Sequence, residues 1–282
     1  MSSSGETTLS TFVASDGDNI VIQDWPLAAS LALRGVVILV HGLGEHAGRY
    51  DHVARRLNAW GFAVRGYDQC GHGESGGPRG SLPTDTRLLD DLVDIVDSTR
   101  AKMQNGTPLI LLGHSMGGLV VARFVSLALR PVEGLVLSSP ALDPGLNPVQ
   151  KLLLAVLPKF WPDLRVGNGV KPQYISHNPE VVAAYKSDRL VHDRISGRLG
   201  RFIATAGEKV EALAPQWTVP TLLLYAGDER LLNPKGSERF AAAAPEAAVK
   251  AVCFASLYHE IFNELDAEPV FRELKLWLDQ KF

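Results

Sequence analysis

Cysteine is scarce: Cys70 and Cys253 are the only two among 282 residues. Two thiols cannot build a disulfide framework or a multi-cysteine metal site, and such usage suits a reducing compartment, the cytoplasm. Cys253 falls in the apolar run 251–254 and reads as a small buried hydrophobe, whereas Cys70 lies in a glycine-rich loop and reads as accessible. Neither is assigned a role. Excess charge is also lacking. With 28 Lys and Arg against 31 Asp and Glu, the formal charge is −3 and no basic run stands out. That balance leaves no electrostatic footprint for nucleic acid. No apolar run approaches the roughly 20 residues of a membrane span. Residues 1–10 are polar and lack the basic-then-apolar order of a secretory signal. What remains fits one large α/β unit carrying an insertion.

Short apolar runs alternate with helix-period stretches, the βαβ pattern of a largely parallel sheet. The runs predict strands at 36–40, 62–67, 109–112, 135–137, 221–225 and 249–254. Tyr50, Val53, Leu57 and Trp60 recur at helical spacing after the first, and Leu88, Leu92, Ile95 and Val96 before the third. Stretches 8–13 and 19–25, separated by Asp16-Gly17-Asp18, predict an antiparallel hairpin at the sheet edge. After Pro140 the alternation pauses. Residues 141–216 turn irregular and proline-rich, with helix-like pieces at 149–157 and 198–213, before Val219-Pro220 restarts the strands. This predicts a core domain of 1–140 and 217–282 and a cap of 141–216 inserted after the sixth strand. Leu152, Leu153, Leu154, Ala155, Val156, Leu157, Phe160 and Trp161 form an apolar stretch in it. They suit packing onto the core, lining of an apolar tunnel, or contact with a lipid surface.

Gly113-His114-Ser115-Met116-Gly117 stands between a predicted strand and a predicted helix. In that context GxSxG marks a sharp turn that lifts a serine hydroxyl clear of the sheet, with glycines where side chains would clash. A serine nucleophile needs a base, and the base needs an orienting acid. His259, just after the last predicted strand, is the only histidine that follows both other members in the chain order serine, acid, histidine. The acid is expected in Gly227-Asp228-Glu229, which leaves a strand through a glycine, and both carboxylates compete. Asp143 is a weaker third choice, as carboxylates near Pro and Gly are usually solvated turn formers. The oxyanion requires two amide donors, assigned to the backbone N–H groups of Met116 and Leu43. His41, Gly42, Gly44 and His114 are candidate pocket residues around them. Gly42-Leu43-Gly44-Glu45-His46-Ala47, with Asp68 downstream, also matches a dinucleotide-binding fingerprint. That rival leaves the serine turn and the late histidine unexplained, and two strand-like segments precede it. His41 and His46 lack the helical HExxH spacing of a metal hydrolase.

With these pieces in place, the chain resembles the monoacylglycerol lipase and lysophospholipase-like family of the α/β-hydrolase fold over nearly its whole length. Besides the serine turn, the match includes His41-Gly42-Leu43-Gly44-Glu45-His46 with Gly48-Arg49-Tyr50, the loop Asp68-Gln69-Cys70-Gly71-His72-Gly73-Glu74-Ser75, and Tyr185-Lys186-Ser187-Asp188. The resemblance implies a mostly parallel sheet flanked by helices, a mobile helical cap over an acyl pocket, and no cofactor. It implies a serine carboxylic-ester hydrolase acting on monoacylglycerol-like or other short-to-medium acyl esters, with Ser115 as nucleophile and His259 as base. Lysophospholipase or acyltransferase chemistry on the same residues, or a ligand-binding homologue without catalysis, are the alternatives. One departure stands out: aligned without a gap, the family's catalytic aspartate falls on Glu229, one place after Asp228.

Overall fold

The computed structural model describes residues 7–282; most of the 1–10 stretch, read above as polar, lies outside them. Two antiparallel strands, β1 (Thr8–Val13) and β2 (Asn19–Trp25), form the edge hairpin, closed by a turn through Gly17 with Val13 opposite Asn19. Then follow β3 (Gly35–Val40), α1 (Asp51–Ala59), β4 (Phe62–Tyr67), α2 (Arg87–Arg100), β5 (Leu109–His114), α3 (Met116–Ser126) and β6 (Gly134–Ser138). Between β6 and the next strand of the main sheet come α4 (Pro148–Phe160), β7 (Arg165–Gly167), α5 (Pro179–Ser187), β8 (Arg194–Ser196) and α6 (Gly197–Leu213). The chain closes with β9 (Thr221–Ala226), α7 (Lys235–Ala243), β10 (Val249–Phe254) and α8 (Glu268–Lys281). The sheet order is β1-β2-β4-β3-β5-β6-β9-β10, with every pair from β4 to β10 parallel. β7 and β8 pair only with each other.

The apolar strands are buried on both faces, and their alternation sorts the core into two layers. Ile38, Val40, Leu111 and Leu137 join Leu88, Leu119 and Phe240 on one side of the sheet. Val37, Leu39, Leu112 and Leu224 join Val53, Leu57, Val270 and Leu274 on the other. Burying each such side chain contributes about 1.5–3 kcal/mol, so the central strands form a rigid platform whose C-terminal ends carry loops.

Three sequence readings change. The cysteines reverse: Cys70 is buried against Gly77, and Cys253, on the outer strand β10, is exposed. The stretch read as irregular holds a further helix, α5. It starts where the Asn178 side chain accepts from the Glu180 N–H and Pro179 occupies the first helical position, two local signals that outweigh its weak periodicity. The apolar stretch of α4 is not wholly packed away: Leu152, Leu153, Val156 and Phe160 are exposed. The Ala155 and Leu157 side chains lie outside the described residues. Among the described residues, no helix is long and apolar enough to cross a membrane.

Candidate active site

Ser115 stands between β5 and α3 with φ 53° and ψ −118°, in a region that residues with a Cβ rarely occupy. Such a conformation costs about 1–3 kcal/mol and persists only where its surroundings fix it. Here the Ser115 N–H donates to the Ser138 carbonyl at 3.0 Å, and its own carbonyl accepts from Leu119 and Ala141 at 3.0 and 2.9 Å. Close packing explains the glycines. A Cβ on Gly117 would lie 2.1 Å from the Val40 carbonyl oxygen, and one on Gly113 would lie 2.5 Å from that of Gly117. Helix α3 therefore presses directly on the end of β3, bringing the loop after β3 beside the serine.

That loop carries Leu43. Neither the Leu43 nor the Met116 N–H donates to another group among the described residues, and both residues line the cavity that Ser115 faces. Met116 opens α3, so the positive end of the helix adds to its amide. The loop is held from below: the Gly42 N–H donates to Glu45 Oε1 at 2.6 Å, as does the Tyr50 hydroxyl at 2.6 Å.

His259 Nδ1–H donates to Glu229 Oε2 at 2.7 Å, and the two side chains are only 6% and 3% exposed. Glu229 Oε1 accepts the Leu231 and Leu232 N–H groups at 2.8 and 3.3 Å. Asp228 turns away to Arg230 at 2.6 Å, with its side chain 37% exposed. Asp143 is bonded to Asn233 and Arg239. Burial alone would lower the proton affinity of His259, but the Glu229 carboxylate outweighs it, helped by Glu260 and Glu45, and raises the imidazole above the ordinary histidine range. Burial likewise opposes ionisation of Glu229, yet His259 and the two amides hold its carboxyl below the usual range.

Ser115, His259, Leu43, Met116, Gly42 and His114 share one cavity of about 510 Å³. The His114 ring lies 4.8 Å from that of His259, centroid to centroid, and bonds to Ser138 Oγ at 3.1 Å. Burial and the neighbouring His259 drive His114 down to about 3, so it is a neutral wall of the pocket. Two expected pocket residues are not among the cavity's lining. His41 is fully buried behind the loop, donating from Nδ1 to the Gly42 carbonyl at 2.8 Å and accepting the Gln69 N–H at 3.0 Å. Gly44, at φ 77°, faces the Gly42–Glu45 loop's other neighbour: a Cβ there would meet the His192 carbonyl at 2.4 Å. Its role is close approach between segments.

The remaining walls are Leu154, Trp161, Ile175, Ile203, Leu231 and Leu232, drawn from distant segments, of which only Leu154 and Trp161 were picked out in the sequence. Their only advance signal was the apolar stretch of α4. Asp68, the acid of the rival fingerprint, spends its carboxylate on the Ala47 and Glu74 amides at 2.9 and 2.8 Å. Among the described residues, no group of three or more His, Cys, Asp or Glu side chains is placed to hold a metal ion.

The family profile described as "Serine aminopeptidase, S33" matches residues 32–266. The monoacylglycerol lipase of Mycolicibacterium smegmatis is 34% identical over 271 residues, covering 95% of each chain. An uncharacterised abhydrolase domain-containing protein of Dictyostelium discoideum is 30% identical over 280 residues, and the chain spans 29% of that protein's length. The crystal structure of Paleococcus ferrophilus monoacylglycerol lipase superposes with a TM-score of 0.81 at 34% identity, covering 98% of this chain and all of that one. The chain belongs to the monoacylglycerol lipase and lysophospholipase-like family of α/β-hydrolase-fold serine hydrolases, which are carboxylic-ester hydrolases.

Proposed function

We propose that this chain hydrolyses monoacylglycerol-like or other short-to-medium acyl esters through an acyl-enzyme on Ser115. The observation that carries the reading is the buried His259–Glu229 pair, whose imidazole lines the same cavity as a serine at a strained turn and two unused amides. Glu229 fixes the proton of His259 on Nδ1, leaving Nε2 as the base. As the Ser115 oxygen attacks the ester carbonyl, its proton passes to His259 Nε2, and the Leu43 and Met116 amides hold the oxyanion. The imidazolium then protonates the departing alcohol. Water, deprotonated by the same nitrogen, releases the acid. Base and amide donors each contribute on the order of hundredfold or more. The cavity is within the size range of pockets for one small ligand, and its apolar walls suit the acyl chain. In this reading residues 141–216 act as the cap, and the exposed apolar face of α4 together with the residue after it, Phe160 being 69% and Trp161 59% exposed, meets lipid interfaces.

The test is Ser115→Ala with chromogenic esters and monoacylglycerols, beside labelling by a fluorophosphonate probe. The expected result is loss of turnover and of labelling in a folded protein. Retained ester hydrolysis would refute the assignment.

A further inference from the structure

Five polar side chains from two distant stretches of the chain, 45–50 and 260–263, meet beside the cavity, which Glu45 and Glu260 help to line. Glu260 directly follows His259. Its carboxylate takes two parallel bonds from Arg49, Nη1 and Nη2 each donating at 2.8 Å, and a third from Asn263 at 2.7 Å. Arg49 Nη1 also donates to Glu45 Oε2. Glu45 in turn holds the Gly42 N–H and the Tyr50 hydroxyl. Glu45, Tyr50 and Glu260 are all buried, and Arg49 nearly so. The guanidinium lies over the Tyr185 ring, 4.8 Å from its centroid, and the Glu260 N–H donates to the Ile175 carbonyl at 2.7 Å.

This chain of bonds starts at the residue beside Leu43 and ends at the residue beside His259. It also holds two carboxylates against one guanidinium. An ion pair whose only role was local stability would need neither the third member nor this placement, since buried ion pairs stabilise little against apolar replacements. Building on the serine-hydrolase reading above, we propose that Arg49 and Glu260 are positioning residues: they lock the amide-donor loop to the loop of the base, and leave one carboxylate's charge in excess beside the imidazole. Locking matters because misplacement by about 1 Å costs on the order of a hundredfold in rate. The excess charge matters because His259 becomes an imidazolium in the transition state.

The ionisable groups facing His259 are Glu229 from the loop after β9, Glu45 from the loop after β3, Glu260 on its own loop and His114 at the end of β5. His114 stays neutral. Glu45 is held ionised, its carboxyl at about 2, because the Arg49 guanidinium outweighs its burial. Removing the Glu260 charge therefore lowers the proton affinity of His259, while exchanging Arg49 for another cation leaves it nearly unchanged.

The test is the pH profile of kcat/KM, with kcat and KM separately, for the whole protein and its Glu260→Gln, Glu260→Asp and Arg49→Lys variants on a soluble p-nitrophenyl ester. Rates are referred to the fraction that a fluorophosphonate labels, so that misfolded protein does not count. Glu260→Gln is expected to lower kcat about tenfold or more, keep KM within about twofold, and move the rising limb to lower pH by about half a unit or more. Arg49→Lys loses the two-pronged fork; its kcat is expected to fall comparably with the limb in place. Glu260→Asp is expected to return the limb to its original pH. A Glu260→Gln enzyme within threefold of the parent, or one that loses rate with its limb unmoved, overturns the proposal. Either result leaves the serine-hydrolase reading intact so long as Ser115→Ala is inactive.

Discussion

Replacing Glu229 by glutamine removes a charge while keeping the shape of the group behind His259. Glu229 uses both oxygens: Oε1 accepts the Leu231 and Leu232 amides, and Oε2 accepts the His259 Nδ1 proton. A glutamine has one oxygen, and the two amides claim it, because turning its NH₂ toward them would set donor against donor and leave both unsatisfied at about 1–3 kcal/mol each. The NH₂ therefore faces His259 Nδ1. To accept from it, the imidazole must carry its proton on Nε2, where it no longer accepts from Ser115. Loss of the charge and the wrong tautomer act together, as in the general serine-histidine-acid system, where the matching amide variant loses about 10⁴ in kcat. At about 1.4 kcal/mol per decade, a loss of 10³–10⁴ amounts to about 4.2–5.6 kcal/mol, which overlaps the upper part of the roughly 3–5 kcal/mol for breaking a buried pair. Asp228→Asn disturbs only a half-exposed pair with Arg230 and is expected to stay within about twofold. Initial rates on p-nitrophenyl butyrate at pH 8, with folding checked by circular dichroism, decide the matter. Equal mild losses in the two variants, or a larger loss in Asp228→Asn, would refute the reasoning.

Gly117→Ala is expected to destabilise the protein by at least about 2 kcal/mol, since its Cβ would lie 2.1 and 2.4 Å from the Val40 and His41 carbonyl oxygens, both backbone. Calorimetry should show a midpoint lower by several degrees, and an unchanged midpoint would contradict the close approach of α3 to β3. Leu152→Glu with Phe160→Glu places charge on the exposed face of α4 at residues outside the cavity. Turnover of a soluble short ester is expected to stay within about twofold. Turnover of monoacylglycerol in vesicles should drop about tenfold, since even partial loss of about 1.5–3 kcal/mol per buried side chain weakens docking that much. Equal rates on vesicles would remove the interfacial reading.

The parallel core was legible because Val36 to Val40 and Leu109 to Leu112 are apolar without interruption, as strands buried on both faces must be. The serine turn was legible because steric exclusion at Gly113 and Gly117 leaves a mark in residue type. Choosing between Asp228 and Glu229 was only half legible, for the ungapped register pointed to Glu229 while two adjacent carboxylates are identical in chemistry. Only the path of the chain after Ala226, which aims one at His259 and the other at Arg230, separates them. The Glu45–Arg49–Glu260 bridge was harder still. Arg49 and Glu260 are 211 positions apart, and each residue alone reads as an ordinary surface charge. His41 misled for a related reason: its place beside Gly42 suggested the pocket, but its ring serves as a prop beneath the loop.

Each group at the site comes from the C-terminal end of a parallel strand: Leu43 after β3, Ser115 after β5, Glu229 after β9 and His259 after β10. That convergence follows from parallel topology, which sends every such loop to one edge of the sheet. Convergence alone does not set ångström-scale geometry, because loops are the least constrained parts of a fold. Here each loop is tied by hydrogen bonds: the Ser115 N–H to the Ser138 carbonyl, the Leu231 N–H to the Glu229 carboxylate, the Gly42 N–H to the Glu45 carboxylate, and the Glu260 N–H to the Ile175 carbonyl. The last of these ties reaches into residues 141–216, so any movement of that segment bears on the loop that carries His259. One backbone bond from the segment between β6 and β9 thus holds the residue next to His259.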